Sequence, residues 1–501
     1  MNRNNMARDL AGGGSEFVLK GGELFGELAG AARDVAVSSI EYDSRKVTPG
    51  ACFVALKGFE TDGRLFVGDA VKRGAVVVVV QGDAQVDSQG VPVVRVADVR
   101  RELAALSAKF YGYPSKKLGV IGITGTNGKT TTSYMIQRVL DGAGFKTSRF
   151  GTTGYGFPDG ELPAPNTTPE SADLQRMFAR AAGWPGPRCV MEVSSHGLAL
   201  ERLEGTVFKG AVFTNLTQDH LDFHHTMDEY ENAKRRLFAD FNIEYAVINI
   251  DDPAGARWAA RGVNGKLFTF GSSASAVVRL LESSTGVDGG FVRLATPKGE
   301  CAFKIAMPGK HNIQNAMAAF SVGLAEGIPS ETIVNALSTL KAVPGRFEKV
   351  DEGQNFAVIV DYAHTDDALE KTLKTARDIT KNRLVCLFGC GGDRDPGKRP
   401  LMGKIASELA DFVVVTSDNP RTEDPKKIID GILAGIPQAM SHKVRVFESR
   451  DEAIKAAIET AQSGDTVLLA GKGHEDYQII GHTKFPLDDR KLAAAAIRGR
   501  K

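Results

Sequence analysis

The sequence contains no CxxC spacing. Its five cysteines (Cys52, Cys189, Cys301, Cys386 and Cys390) are scattered and odd in number, which argues against a disulfide framework or a zinc site and points to a reducing compartment. Long apolar runs are missing as well. The longest purely apolar stretch, "AVVVVV" at 75–80, falls far short of the ~20 residues a membrane helix requires and reads as a buried strand. The opening "MNRNNMARDLAGGGSEF" has no secretory hydrophobic region and reads as a frayed extension, its first ~15 residues disordered. A cytoplasmic chain without membrane insertion is therefore expected. Nor is there an excess of charge: 62 Lys and Arg face 61 Asp and Glu, so no global positive field attracts nucleic acid, and a charged ligand must be held locally.

With 25% charged and 42% hydrophobic residues, the chain can form sizeable cores, and its 501 residues predict two or three domains. Between about residues 36 and 99, "ACFVALKG", "AVVVVV" and "VPVVRV" read as strands of a small α/β domain, followed by the helical "DVRRELAALSAKFYGYP". "KLGVIGIT" at 117–124 opens a second set, in which "CVMEVSS", "GAVFTNL" and "YAVINIDD" alternate with helical segments such as "DEYENAKRRLF". Such alternation predicts a parallel, doubly wound sheet. After "AVPGRFEKV", five runs ("FAVIVDYAH", "LVCLFGCGGD", "FVVVTSDNP", "KVRVFES", "TVLLAGKGHED") pass from apolar residues into polar, often Gly-rich turns. A second parallel sheet is expected there, with ligands beyond the carboxyl ends of its strands.

"GITGTNGKTTT" at 122–132 lies between the strand "KLGVI" and the helical "SYMIQRVLDGAG". Backbone N–H groups of a Gly-rich turn and a helix N-terminus cradle anions, with Lys129 suited to terminal phosphates and Thr130 to Mg²⁺. The strict GxxxxGK[ST] pattern fails because Ile123 stands where its first glycine belongs; the spacing is Gly122, Gly125, Gly128.

That loop, together with "MEVSSHGL", "VFTNLTQDHLDFH", "YENAK", "DYAHTDDALEK", "FGCGGDRDPGKRPLMG", "DNPRTEDP" and "AGKGHEDYQ", resembles the ATP-dependent Mur ligase superfamily, and within it the tripeptide-synthetase (MurE) branch. The resemblance implies three α/β domains: a small N-terminal UDP-substrate-binding domain (1–115), a central P-loop-type parallel-sheet ATPase domain (116–345) and a Rossmann-like amino-acid-binding domain (346–501). It also implies a monomeric cytoplasmic enzyme of peptidoglycan precursor synthesis. Its reaction would join meso-2,6-diaminopimelate to the D-glutamate of UDP-N-acetylmuramoyl-L-alanyl-D-glutamate through an acyl phosphate, using ATP and two Mg²⁺ sites.

By the same resemblance, Gly125, Thr126, Asn127, Gly128, Lys129, Thr130 and Thr131 bind ATP, with Asn312 and Asn315 near adenine, Arg346 near the phosphates and Asp361 near the ribose or metal. Glu192 and His220 would ligate Mg²⁺ with Thr130 and with Lys234 as a CO₂-derived carbamate; Lys129, Glu192, His220 and Lys234 form the catalytic set. Read alone, Glu192 and His220 are structural polar groups and Lys234 is a solvated helix lysine. For the UDP-muramoyl dipeptide the matching positions are Tyr42, Ser44, Phe59, Glu60, Thr61, Asn166, Thr167, Thr168, Ser194 and Arg202. Read alone, Ser44 and Thr61 are turn hydroxyls. Diaminopimelate falls to Arg394, Asp418, Asn419, Pro420, Arg421, Gly471 and Glu475. Planar Arg421 suits the distal carboxylate that L-lysine lacks, although alone it could pair with Glu423 or Asp424.

The chain departs from the family at Asp366, where proline is usual and a loop adjustment is expected, at Leu200, often glutamine, and in "GFETDG". Three other functions stay open at this level: an L-lysine-adding ligase, a folate polyglutamate ligase of the same fold, and a noncatalytic nucleotide-binding scaffold.

Overall fold

The computed structural model describes residues 17–58, 61–286 and 288–500. Phe59, Glu60 and the expected N-terminal extension up to Glu16 lie outside the described residues. Two compact units form: the first runs to Phe270 and takes in Ala318–Pro329, and the second comprises Gly271–Met317 and the chain from Ser330 onward.

The first unit opens with a parallel sheet in the order Ser39–Glu41, Ala51–Val54, Ala75–Gln81, Val93–Val96. Val77, Val78, Val79 and Val80 are all fully buried, so both faces of their strand are covered, as an all-parallel sheet requires. Each such side chain contributes about 1.5–3 kcal/mol through burial. Helix Val99–Phe110 begins at Asp98, whose carboxylate accepts from the Arg100 and Arg101 amides, and it turns Leu103, Leu106 and Phe110 into the core.

The larger sheet of this unit has the order Gly160–Leu162, Gly154–Phe157, Lys146–Gly151, Pro187–Glu192, Gly119–Thr124, Phe208–Phe213, Tyr245–Asn249, Lys266–Gly271. The first two strands are antiparallel additions and the rest are parallel. Strand Gly119–Thr124 has Pro187–Glu192 on one side and Phe208–Phe213 on the other, so the Gly-rich loop leaves the sheet at a topological switch point. Helix Ser171–Ala181 ties the two sheets together. From it, buried Arg176 pairs with Glu41 at 2.7 Å and donates to the Tyr111 hydroxyl at 3.0 Å, while Asp173 accepts from the Tyr42 hydroxyl at 2.7 Å.

In the second unit an antiparallel meander, Val278–Gly286, Gly289–Thr296 and Gly299–Ile305, precedes a sheet in the order Glu348–Lys349, Ala357–Asp361, Thr466–Ala470, Leu384–Phe388, Phe412–Thr416, Val444–Phe447. All pairings in the latter are parallel except the first. All five apolar runs of the third set become strands. At the family departure, Asp366 opens helix Asp366–Ile379 behind the N-cap Thr365, where an acidic residue favours the helix N-terminus.

All five cysteines are free, and among the described residues no helix is long and apolar enough to cross a membrane.

Candidate active site

The Gly-rich loop is tied to the neighbouring strand end, Thr214 to Thr217. The Thr126 amide donates to the Asn215 carbonyl (2.8 Å) and the Asn127 amide to Asn215 Oδ1 (3.0 Å), while Thr214 Oγ1 donates to the Asn127 carbonyl (2.7 Å). Gly125 is required here: its φ is +145°, and an added Cβ would lie 2.0 Å from Thr214 Oγ1. Gly128, at φ 86°, caps helix Lys129–Gly142, whose first turn buries Thr130 and Thr131. Lys129 Nζ folds back onto the loop and donates to the carbonyls of Gly125 and Thr126, both at 2.8 Å.

Lys234 corrects its residue-only reading. On helix Met227–Ala239 it is 1% exposed, not solvated, and its Nζ donates to the Gly125 carbonyl at 3.0 Å. Burial, followed by the charge of Lys129, pushes its ammonium well below the ordinary lysine value, against the pull of Asp219. Glu192, at the end of its strand, is 1% exposed; Oε1 accepts from the Thr152 amide and Oε2 from the Thr152 hydroxyl, each at 3.0 Å. Thr152 follows Gly151, where a Cβ would strike Glu192 Oε1 at 2.2 Å, so the backbone is brought as close as glycine allows. Sequence reasoning missed Thr152, although the "GTTG" turn behind a strand was visible. His220 sits at φ 53° with its ring 4.8 Å from that of His196. Burial lowers its proton affinity, Asp219 opposing and Lys129 and Lys234 assisting.

Among the described residues no group of three or more His, Cys, Asp or Glu is arranged to hold a metal. The four donors expected from the sequence are of other types in half the cases. Glu192 is a fixed carboxylate, His220 a neutral-leaning imidazole and Thr130 a hydroxyl; only the ammonium of Lys234 opposes a cation. A carbamate on that nitrogen would reverse its charge, so the donor chemistry fits Mg²⁺ in the carbamylated form.

Around Glu192 the structure gathers several residues assigned to the UDP-muramoyl dipeptide. Thr167 Oγ1 lies 3.1 Å from Thr152 Oγ1, Thr168 Oγ1 donates to the Glu192 carbonyl (2.9 Å), and Ser194 Oγ receives the Gly197 amide (3.0 Å) as the cap of helix Ser195–Ala199. Arg202 donates to the Thr168 carbonyl at 3.0 Å and pairs with Glu170 at 3.1 Å, while the Asn166 carbonyl accepts from Tyr155. Tyr42 is engaged by Asp173, as above. Ser44 starts a short 3₁₀ turn and is 9% exposed; Thr61 is exposed, and its carbonyl receives the Gly58 amide.

The other nucleotide-assigned residues belong to the second unit. Asn312, on helix Lys310–Ala325, is buried, donates to the Pro308 carbonyl at 2.7 Å and accepts from Asn315 at 3.2 Å. The guanidinium of Arg346 lies 4.8 Å from the Tyr362 ring centroid. Asp361 accepts the Phe347 amide (2.7 Å) and the Ala363 amide (2.9 Å), and burial raises its carboxyl above the usual range despite Arg346.

At the carboxyl ends of the second-unit sheet, the amino-acid set converges. The Asn419 amide donates to Glu475 Oε2 (2.9 Å) and its Oδ1 accepts from Lys472 Nζ (3.1 Å) and the Ile479 amide (2.9 Å). Gly471, at φ +107°, leaves room for Asp418, whose Oδ2 would be 2.8 Å from a Cβ there. Below it, the fully buried Arg450–Asp489 pair donates from Arg450 to the Ala470 carbonyl at 2.9 Å. Arg421 adopts φ 52° behind Pro420 and donates to the Gly392 carbonyl at 2.7 Å. Its alternative acidic partners are engaged elsewhere: Glu423 pairs with Arg399 at 2.9 Å and Asp424 caps helix Pro425–Leu433. Arg394 is exposed, and a Cβ on Gly391 would lie 2.9 Å from Arg421 Nη1 and 3.8 Å from Arg394 Cγ, so both arginines face Gly391. Lys472 escaped sequence reasoning although it lies within "GKGHED", between two residues assigned there.

Three segments match families of known proteins: residues 36–111 the Mur ligase family, catalytic domain; 123–323 the Mur ligase middle domain; 345–473 the Mur ligase, glutamate ligase domain. The chain belongs to the Mur ligase family and has its three-domain architecture. It is 46% identical to a UDP-N-acetylmuramoyl-L-alanyl-D-glutamate–2,6-diaminopimelate ligase of Geobacillus kaustophilus, over 93% of this chain and 95% of that one. A protein of the same name from Syntrophomonas wolfei is 44% identical over 95% and 97%. A solved structure of a ligase of that name superposes with a TM-score of 0.65 at 34% identity, covering 93% and 95%. The fold is shared with MurF of Thermotoga maritima in complex with ADP (TM-score 0.64, 17% identity, 92% and 98% covered).

Proposed function

We propose that the chain ligates meso-2,6-diaminopimelate to the D-glutamate of UDP-N-acetylmuramoyl-L-alanyl-D-glutamate with ATP, a step of peptidoglycan precursor synthesis in the cytoplasm. Identity of 46% over nearly the whole of a relative bearing that activity in its name carries the reading. We assign the functional parts as 1–115 for the UDP end, 116–345 for ATP and 346–501 for the amino acid.

Carboxylate and triphosphate repel, so the ligase must hold them together before the γ-phosphoryl group passes to the D-glutamate γ-carboxylate. The loop amides from Gly125 to Thr131 cradle the phosphates, and Lys129 leaves its carbonyl partners to meet the terminal ones. Glu192, His220, Thr130 and carbamylated Lys234 would hold Mg²⁺, which screens the negative charge of phosphate and carboxylate when bound. Asn312, Asn315, Arg346 and Asp361 serve the nucleotide. Tyr42, Ser44, Phe59, Glu60, Thr61, Asn166, Thr167, Thr168, Ser194 and Arg202 serve the UDP-muramoyl dipeptide. The amine of diaminopimelate then attacks the acyl phosphate, and the tetrahedral intermediate expels phosphate. Asp418, Asn419 and Glu475 orient that amino acid beside Gly471, and Arg421 behind Pro420, with Arg394, receives its distal carboxylate.

The test is ATP-dependent ligation with UDP-muramoyl dipeptide and equal meso-diaminopimelate and L-lysine, read by product mass and phosphate release. Diaminopimelate product should dominate. Preferential lysine addition would sink the amino-acid reading, ligation of glutamate to a folate acceptor would favour the folate ligase, and no phosphate release with any pair would favour a scaffold.

A further inference from the structure

The side chain of Lys472 is wholly shielded from solvent, although lysine is a cationic residue whose ammonium needs partners. A lysine is placed in such a position only with partners, because an unpaired buried ammonium is costly. Its Nζ has two side-chain partners, Asn419 Oδ1 and Glu475 Oε2, both at 3.1 Å. Those two residues bond to each other through Asn419 Nδ2 and Glu475 Oε2 at 2.9 Å. The result is a closed triangle of three side chains.

The triangle decides orientations that neither Asn419 nor Glu475 could fix alone. An amide can flip, exchanging its acceptor for its donors. Here Oδ1 faces two donors, Lys472 Nζ and the Ile479 amide, so a flip would set NH₂ against both. Glu475 Oε2 receives both Asn419 and Lys472, and among the described residues no donor reaches Oε1. That oxygen is left to a ligand, on a carboxylate that remains 14% exposed. Charge points the same way. With Arg394 and Arg421 assigned to the distal carboxylate, the remaining charged groups Asp418, Glu475 and Lys472 sum to one formal negative charge, the complement of one substrate ammonium.

We propose that Lys472 is a positioning residue for the incoming amino acid: it holds the Asn419 amide and the Glu475 carboxylate in the orientation that receives the substrate. The proposal rests on the amino-acid reading of this cluster given above. It places Lys472 behind the contacts, acting through them.

Lys472→Met removes charge and donor together, and Lys472→Gln returns a donor without charge. Displacing contact groups by about 1 Å costs up to ~10²-fold, so KM for meso-diaminopimelate should rise about 10- to 100-fold in Lys472→Met and less in Lys472→Gln. KM for ATP and for UDP-muramoyl dipeptide should change less than about twofold, since those sites lose no contact. A rise of all three KM values together, or a lowered melting temperature with unchanged amino-acid KM, overturns the proposal in favour of a purely structural lysine. If neither variant folds, the Lys472 ¹⁵Nζ resonance of the unmodified enzyme decides: it should shift on saturation with meso-diaminopimelate, and an unmoved resonance overturns the proposal. Should the enzyme prefer another amino acid, the substrate reading fails by itself; the selective KM effect, measured with that amino acid, still supports Lys472 as its positioner.

Discussion

Lys129 and Lys234 donate to one carbonyl oxygen, that of Gly125, at 2.8 and 3.0 Å. Two ammonium groups on one acceptor repel, and burial already disfavours a charge on Lys234, so the neutral amine is favoured there. A neutral amine is the form that adds CO₂. Activity should therefore fall in CO₂-depleted buffer and return with bicarbonate, and Lys234→Ala should lose about 10²-fold or more in kcat, with partial recovery in acetate or formate. Steady-state rates under these conditions check it; an enzyme indifferent to bicarbonate and not rescued by short acids would lack the carbamate.

Thr152 grips both oxygens of Glu192, once by its amide and once by its hydroxyl. Only the second bond depends on the side chain. Supports behind metal ligands typically govern affinity about 10- to 100-fold, so Thr152→Val should raise the Mg²⁺ concentration for half-maximal activity by about tenfold. Thr152→Ser should stay near the unmodified enzyme. Magnesium titrations of initial rate distinguish the two, and equal curves would deny the support.

Arg421 is held by the Gly392 carbonyl and, among the described residues, pairs with no acid, so its guanidinium keeps capacity for an incoming carboxylate. Arg421 is half-buried, and a polar group shielded from water and aimed at one partner disfavours the analogue that lacks it. Arg421→Ala should cut kcat/KM for meso-diaminopimelate by about 10²-fold or more while changing that for L-lysine little. Competition assays measure the ratio directly.

Asp465, its side chain shielded from solvent, accepts from Arg383 at 2.6 Å and from the Gln462 amide at 2.8 Å. Burial pushes its carboxyl up, but these hydrogen bonds outweigh burial and hold it below the ordinary value of 3.8. A depressed carboxyl stabilises the fold above the unfolded value and loses that contribution as pH falls through the lower folded value. Asp465→Asn should cost about 1–3 kcal/mol at pH 7, and the difference should shrink as pH drops below 4. Urea unfolding at pH 7 and pH 3 compares them.

Parallel strands were the most legible part of the chain, because runs such as "AVVVVV" and "LVCLF" are buried on both faces and need no alternation to be read. The meander from Val278 to Ile305 was not, since strands such as "VRLLESSTG" expose much of their length and carry little apolar signal. In the site, the loop announced itself through glycine spacing. The burial of Lys234 did not, because helix Met227–Ala239 looks polar along its sequence and only its packing, with Nζ on the Gly125 carbonyl, puts that lysine inside. Thr152 and Lys472 act through neighbours, and such roles leave no residue-type signature.

Arg176 spans the two sheets of the first unit, with Glu41, Tyr111 and the Ile40 carbonyl all on its far side. The amino-terminal sheet is consequently no exchangeable cassette. Excising it, or swapping in a relative's version at the junction near residue 116, would strand a guanidinium at a freshly exposed face and leave Asp173 without Tyr42. A chimera built at that seam needs its graft to bring the acid and both tyrosines with it.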